Sequence, residues 1–393
     1  MTGLVAQIEA ATPPGRDRAV DALRALAILG VVGGHWLVTA LVTDSGTVRA
    51  ASPLTYLPEL TPVSWVFQTL AVFFLVGGQA AAGSWASARQ RRVPYGRWVR
   101  GRLGRLFRPV AAVLVVWALA AAAMLVAGVG ESTVRALVKL VWSPLWFLLV
   151  FAALTALTPL VARLHPLWPL VVVLHVDLVR LGLGGPRELG WINVVAGWLV
   201  PYCLGALVAR GGVRGRTGRW ALLLGGAGAA VSLVLWAGYP AAMVGVPGGR
   251  MSNLDPPSLA AVAFGLAQCG AALLLLGPLR RALRRPAVWA VVAVVNLSAM
   301  TVFLWHQTAM ITVTTSAALI ADGPLPGLHT VPGVGWVLAR LLWLPVFALA
   351  LLVCWAAFRG HEQGGRPHGG GSLVVRESIG ESSPGRKGHA RRA

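Results

Sequence analysis

Two residue types that a bilayer tolerates poorly stand eleven positions apart in one apolar stretch, Arg24 and His35. Eleven residues of α-helix make about three turns and rise about 16 Å, so the two side chains share a face. Ionisable groups are expensive inside lipid, which makes an intramembrane histidine a functional-site hypothesis from the start. A neutral imidazole can act as a general base near physiological pH. The competing use of such a residue is an interhelical hydrogen bond. Asp21 lies one turn before Arg24, and Gly30, Gly33 and Gly34 let another chain come close. Arg24 taken alone could be a snorkelling anchor at a membrane boundary.

A second group follows the second apolar run. Residues 89–108 carry eight arginines, among them Arg102, Arg105 and Arg108 directly before Pro109. Guanidinium groups bind phosphate bidentately, so this segment, read as a loop, suits a ligand bearing several phosphates. Contact with anionic lipid is the alternative. A third group, Asn296 through His306, places several hydrogen-bonding side chains in one span, and His306 could line the same cavity as His35. Asp177 and Arg180, three apart, read as a structural ion pair. Only Asp21 and Asp177 are acids inside or at the edge of spans, which argues against a carboxylate proton relay and against paired-carboxylate glycoside chemistry. No Walker loop, no His-Glu-x-x-His and no Gly-x-Ser-x-Gly occurs. Cys203, Cys269 and Cys354 lie in apolar runs without metal-ligand spacing or a disulfide framework.

The elements that must position these residues are membrane helices. The 393-residue chain is 56% hydrophobic and only 12% charged, with a mean hydropathy of +0.71. Long apolar runs recur from about residue 22 to 358, so the predicted fold is all-α, a polytopic bundle of about ten transmembrane helices. They fall near 22–41, 62–83, 109–128, 144–162, 167–181, 191–209, 220–238, 258–277, 295–320 and 334–358, with 287–296 as an interfacial helix before the ninth. With both termini cytoplasmic, inside segments hold 27 basic residues and outside loops six, with Arg340 alone within the last span. The net charge of +21 is therefore read as an orientation signal and not as nucleic-acid binding. Residues 1–20 lack the features of a cleavable signal, so the first span is expected to be an uncleaved anchor, and residues 1–15 are expected to be disordered. Residues 359–393, rich in Gly, Ser and Arg, are expected to form a disordered basic tail.

Over residues 16–358 the chain resembles the acyltransferase-3 family of integral membrane acyltransferases, in its stand-alone form. The resemblance rests on Asp21-x-x-Arg24 with ten residues before His35, and on Phe73-Phe74-Leu-Val-Gly77-Gly78 against the family's Phe-Phe-x-x-Ser-Gly. It also rests on an Arg-x-x-Arg pair before Pro109 and on Trp146-Phe147-Leu148. Gly77 stands where the family has serine. The arginine pair fits best as Arg102/Arg105, with Arg105/Arg108 as a rival register. Met251 to Ser258 and Met300 to His306 are similar to segments of the actinobacterial branch.

The resemblance implies transfer of an acyl group, acetyl or short-chain, from cytoplasmic acyl-CoA to a hydroxyl or amine of a carbohydrate, cell-envelope glycan, lipid or secondary metabolite at the plasma membrane. Acyl-CoA is then a co-substrate, with no tightly bound cofactor and no metal, and the partners are the acceptor and membrane lipid. His35 and Arg24 become the catalytic candidates, and Arg102, Arg105 and Arg108 bind acyl-CoA. Asp21, His306 and Trp146 stand second in the same cavity. The alternative function is a transporter or flippase for a lipid-linked or small polar molecule, against which the scarcity of intramembrane acids and the lack of paired broken helices count.

Overall fold

Backbone groups in lipid must be satisfied within their own segment, so apolar runs of this length become helices. The computed structural model describes residues 2–44, 47–249 and 251–363, and these are mostly helical. In chain order the main elements are α1 (Thr2–Ala10), α2 (Arg18–Val38), an antiparallel hairpin of β1 (Ala40–Asp44) and β2 (Thr47–Ala51), α3 (Leu70–Gln90) and α4 (Tyr95–Val126). Then come α5 (Glu131–Trp142), α6 (Trp146–Ala156), α7 (Leu167–Asp177), α8 (Trp191–Ala209) and α9 (Arg216–Trp236). The chain closes with α10 (Leu259–Ala282), α11 (Pro286–Leu297), α12 (Ala299–Ile320) and α13 (Val334–Gln363).

Eight helical segments among the described residues are long and apolar enough to cross a membrane, and α11 with α12, bent by 68° at Ser298, makes a ninth. The bundle is polytopic and helical, as expected. The remaining expected span, 167–181, is an eleven-residue helix extended by the π-helical turn Leu178–Gly182, which keeps it below the length of the others. The stretch 287–296, expected as a separate interfacial helix, falls within the helix α11, set at 68° to α12.

Two expectations need correction. Most of the arginine-rich segment is not a loop: from Tyr95 it forms the first turns of α4, which runs on through Pro109. Pro94 sets the start, arginine is a good helix former, and buried Trp98 and Leu106 give this stretch an inward face. Nor is the N-terminal stretch without structure. Residues Thr2–Ala10 form α1, which packs on α11. One anchor is remote in sequence, the Trp289 indole donating to Thr12 at 2.8 Å, and one is local, Arg18 pairing with Glu9 at 2.6 Å. The expected tail lies outside the described residues from 364 onward, while 359–363 continue α13.

Small residues set the closest helix contacts. A Cβ on Gly78 would collide with the Tyr202 carbonyl, and one on Gly205 with the Leu75 carbonyl, so α3 and α8 touch backbone to backbone. Gly226 and Gly270 do the same between α9 and α10. The main core joins α2, α3, α4, α6, α8, α12 and α13 around Phe74, Phe147, Trp198, Phe303 and Trp305.

Candidate active site

His35 and His306 come together in the interior, on α2 and α12. Their ring centroids are 5.1 Å apart and the planes meet at 45°. His306 is 1% exposed, and its Nδ1 lies 2.5 Å from the Phe303 carbonyl one turn earlier. A carbonyl only accepts, so Nδ1 carries the proton and Nε2 carries a lone pair. That Nε2 is buried without a hydrogen-bond partner. His35 is only half-buried.

Arg24 does not reach His35, three turns along the same helix. Its guanidinium donates to Asn296 Oδ1 at 3.3 Å and lies 3.7 Å from Asp21. Asn296 donates in turn to Asp21 at 2.6 Å, and Arg16 pairs with the same carboxylate at 2.5 Å. One buried carboxylate thus serves two guanidiniums and leaves this end of α2 positive.

Arg102 and Arg105 are three apart on α4, hence on one face, and both line a cavity of about 190 Å³ with Leu103, Leu106, Phe151, Thr155 and Met300. Arg108 is exposed and is not among its lining residues. Arg102 lies within electrostatic range of Arg105 and Arg24. His35, His306, Arg24 and Trp146 are not among its lining residues, whereas Phe151 is. From there a series of rings leads onward: Phe151 to Phe73 (5.0 Å), Phe73 to Phe147 (5.4 Å), Phe147 to Phe303 (4.8 Å) and Phe303 to His306 (5.6 Å). Both aromatic motifs of the sequence supply this wall. Trp146 stands beside it, 6.1 Å from Trp198. Gly77 has its own explanation here, because a Cβ at that position would run into the Phe151 ring.

Arg340 was visible in sequence only as a lone charge in the last span. In the structure it is 1% exposed and donates to three backbone carbonyls: Trp36 at 2.7 Å, Thr39 at 2.7 Å and Gly327 at 2.9 Å. Two of these carbonyls end the helix that bears His35, where a cation also complements the helix dipole. The Trp36 indole donates to the His306 carbonyl at 2.9 Å. α13 thus ties the two histidine helices together. At another corner, Asp177 accepts from Arg180, Asn193, Tyr239 and the Leu259 amide, which fits the structural reading of that pair and extends it. Burial and the Asp177 carboxylate push the Tyr239 phenol up from its ordinary pKa.

The described residues thus form a polytopic helical bundle with an imidazole pair inside and two guanidiniums lining a neighbouring cavity. A family model described as an acyltransferase domain matches residues 17–359, and the chain belongs to that family, acyltransferase-3. It is therefore a membrane acyltransferase. No curated protein and no solved structure matches the chain significantly.

Proposed function

We propose that the chain transfers an acetyl or short acyl group from cytoplasmic acyl-CoA to a hydroxyl or amine of a carbohydrate, cell-envelope glycan, lipid or secondary metabolite, at the plasma membrane. The observation that carries this reading is the layout: an arginine-lined cavity, a wall of packed aromatic rings in contact with it, and two imidazoles at the end of that series of rings. Arg102 and Arg105 take the donor's phosphates, and Arg24 adds positive charge nearby. The acyl thioester reaches the histidines once Phe151 and its neighbours turn aside. His35, the more accessible imidazole, removes the acceptor's proton as its oxygen or nitrogen attacks the acyl carbon. The carbon–sulfur bond breaks, and the coenzyme A thiolate takes that proton.

The test is mass spectrometry of envelope glycans, lipids and secreted metabolites from a strain lacking the gene, complemented with wild type or with His35→Ala. An acyl mass that disappears on deletion and returns only with wild type supports the reading and names donor chain and acceptor together. Profiles identical in all strains contradict it.

A further inference from the structure

The reaction just described needs His35 in one tautomer, with a lone pair towards the acceptor and the other ring nitrogen protonated and held. Soluble enzymes that use histidine in this way orient it with a third group, commonly a carboxylate. Among the described residues no carboxylate pairs with His35: Asp21 is three to four turns away and already engaged by Arg16, Arg24 and Asn296. The adjacent group is a second imidazole.

We propose that Nε2 of His306 is the acceptor that orients His35, so that the two residues form a dyad of base and positioning residue. This rests on the acyl-transfer reading above. Three structural features support it independently of that reading. The bond from Nδ1 to the Phe303 carbonyl fixes the tautomer of His306 and leaves Nε2 as an acceptor. That acceptor is buried and unpaired, a costly state that persists where a partner is to arrive. The neighbouring ring is His35, at 5.1 Å between centroids, and the Arg340–Trp36 contacts hold the two helices in that spacing. Catalytic hydrogen bonds are often open before substrate binds and close in the complex.

In the dyad, the His35 N–H donates to Nε2 of His306. The other nitrogen of His35 takes the acceptor's proton during attack on the acyl carbon and returns it to the departing thiolate. His306 gains and loses no proton. The positive charge that forms briefly on His35 is stabilised by the lone pair of its partner.

Two amide side chains separate orientation from mere helix packing. Asparagine places its amide N–H where Nδ1 stands, so His306→Asn keeps the bond to the Phe303 carbonyl and deletes the Nε2 acceptor. Glutamine can put its amide oxygen near Nε2, so His306→Gln restores an acceptor that cannot titrate. The full-length protein in nanodiscs is given radiolabelled acetyl-CoA, with membranes of the deletion strain as acceptor source. His306→Asn should lose about 100-fold or more in maximal rate at an unchanged KM for acetyl-CoA, while His306→Gln stays within about 10-fold of wild type. Full activity in His306→Asn overturns the dyad. Equal loss in both variants, at unchanged unfolding midpoints, also overturns the orienting role. A wild-type protein that incorporates no label from acetyl-CoA or a longer acyl-CoA overturns the acyl-transfer reading itself, a result recognisably different from the other two.

Discussion

Replacing Arg340 by methionine removes a buried cation and leaves its shape roughly filled. The structure sets the scale of the effect. Three carbonyls, of Trp36, Thr39 and Gly327, lose their donor at a site that is 1% exposed and shut off from water. Hydrogen bonds from a charged donor are worth about 1.5–3 kcal/mol each in soluble proteins, and polar contacts in membrane bundles average nearer 0.6 kcal/mol. Three bonds thus span roughly 2–9 kcal/mol. Removing a buried charge that has no carboxylate partner returns part of this, so the expected loss is about 2–4 kcal/mol. Arg340→Lys keeps a charge and three donors but not the planar fork, and should lose less than half as much. Equilibrium unfolding by SDS in mixed micelles, followed by tryptophan fluorescence, measures both. An Arg340→Met protein within about 0.5 kcal/mol of wild type would refute the idea that α13 holds the histidine helices through this guanidinium.

Three further sets of substitutions probe other parts of the molecule. Gly205→Ala forces α3 and α8 apart at the Leu75 carbonyl and should cost about 1–3 kcal/mol in the same unfolding assay; unchanged stability would mean that the helices do not touch there. Gly77→Ser drives the Phe151 ring from its place beside the arginine cavity, so the KM for acetyl-CoA should change by at least about threefold, and adding Phe151→Ala should relieve it; strictly additive effects would disconnect the two positions. Arg102→Ala and Arg105→Ala should each weaken acyl-CoA binding by about 10-fold without altering acceptor affinity, as isothermal titration with coenzyme A can show; unchanged affinity in both would assign the pair to lipid contact.

Much of the fold was legible because membrane helices obey length and apolarity. The α2, α8 and α13 runs begin and end within a few residues of their predicted limits, and the break before the ninth span appears as the bend at Ser298. Long-range docking was not legible. α1 has almost no pattern of its own; beside the nearby Arg18–Glu9 pair it is held by packing on α11 and by the Trp289 bond to Thr12, contacts that local sequence cannot encode. The arginine segment misled because positive charge looks like a loop, whereas buried Trp98 and Leu106 make it a helix. At the site, the sequence offered His306 as a residue that could line a cavity with His35, and the two rings lie 5.1 Å apart. Arg24 was placed on the correct face, but its reach was not: Asn296 and Asp21 absorb it long before His35. Arg340 carried a signal that could have been pressed further, since a lone arginine amid apolar residues must find acceptors, and backbone carbonyls at a helix end are the ready supply.

The most direct measurement compares purified wild-type protein with His35→Ala in nanodiscs, supplied with radiolabelled acetyl-CoA and membranes from the deletion strain. The account expects label in a covalent product with wild type, a loss of about 100- to 10,000-fold with His35→Ala, and the same unfolding midpoint for both. Label transferred at the wild-type rate without the His35 imidazole would contradict it.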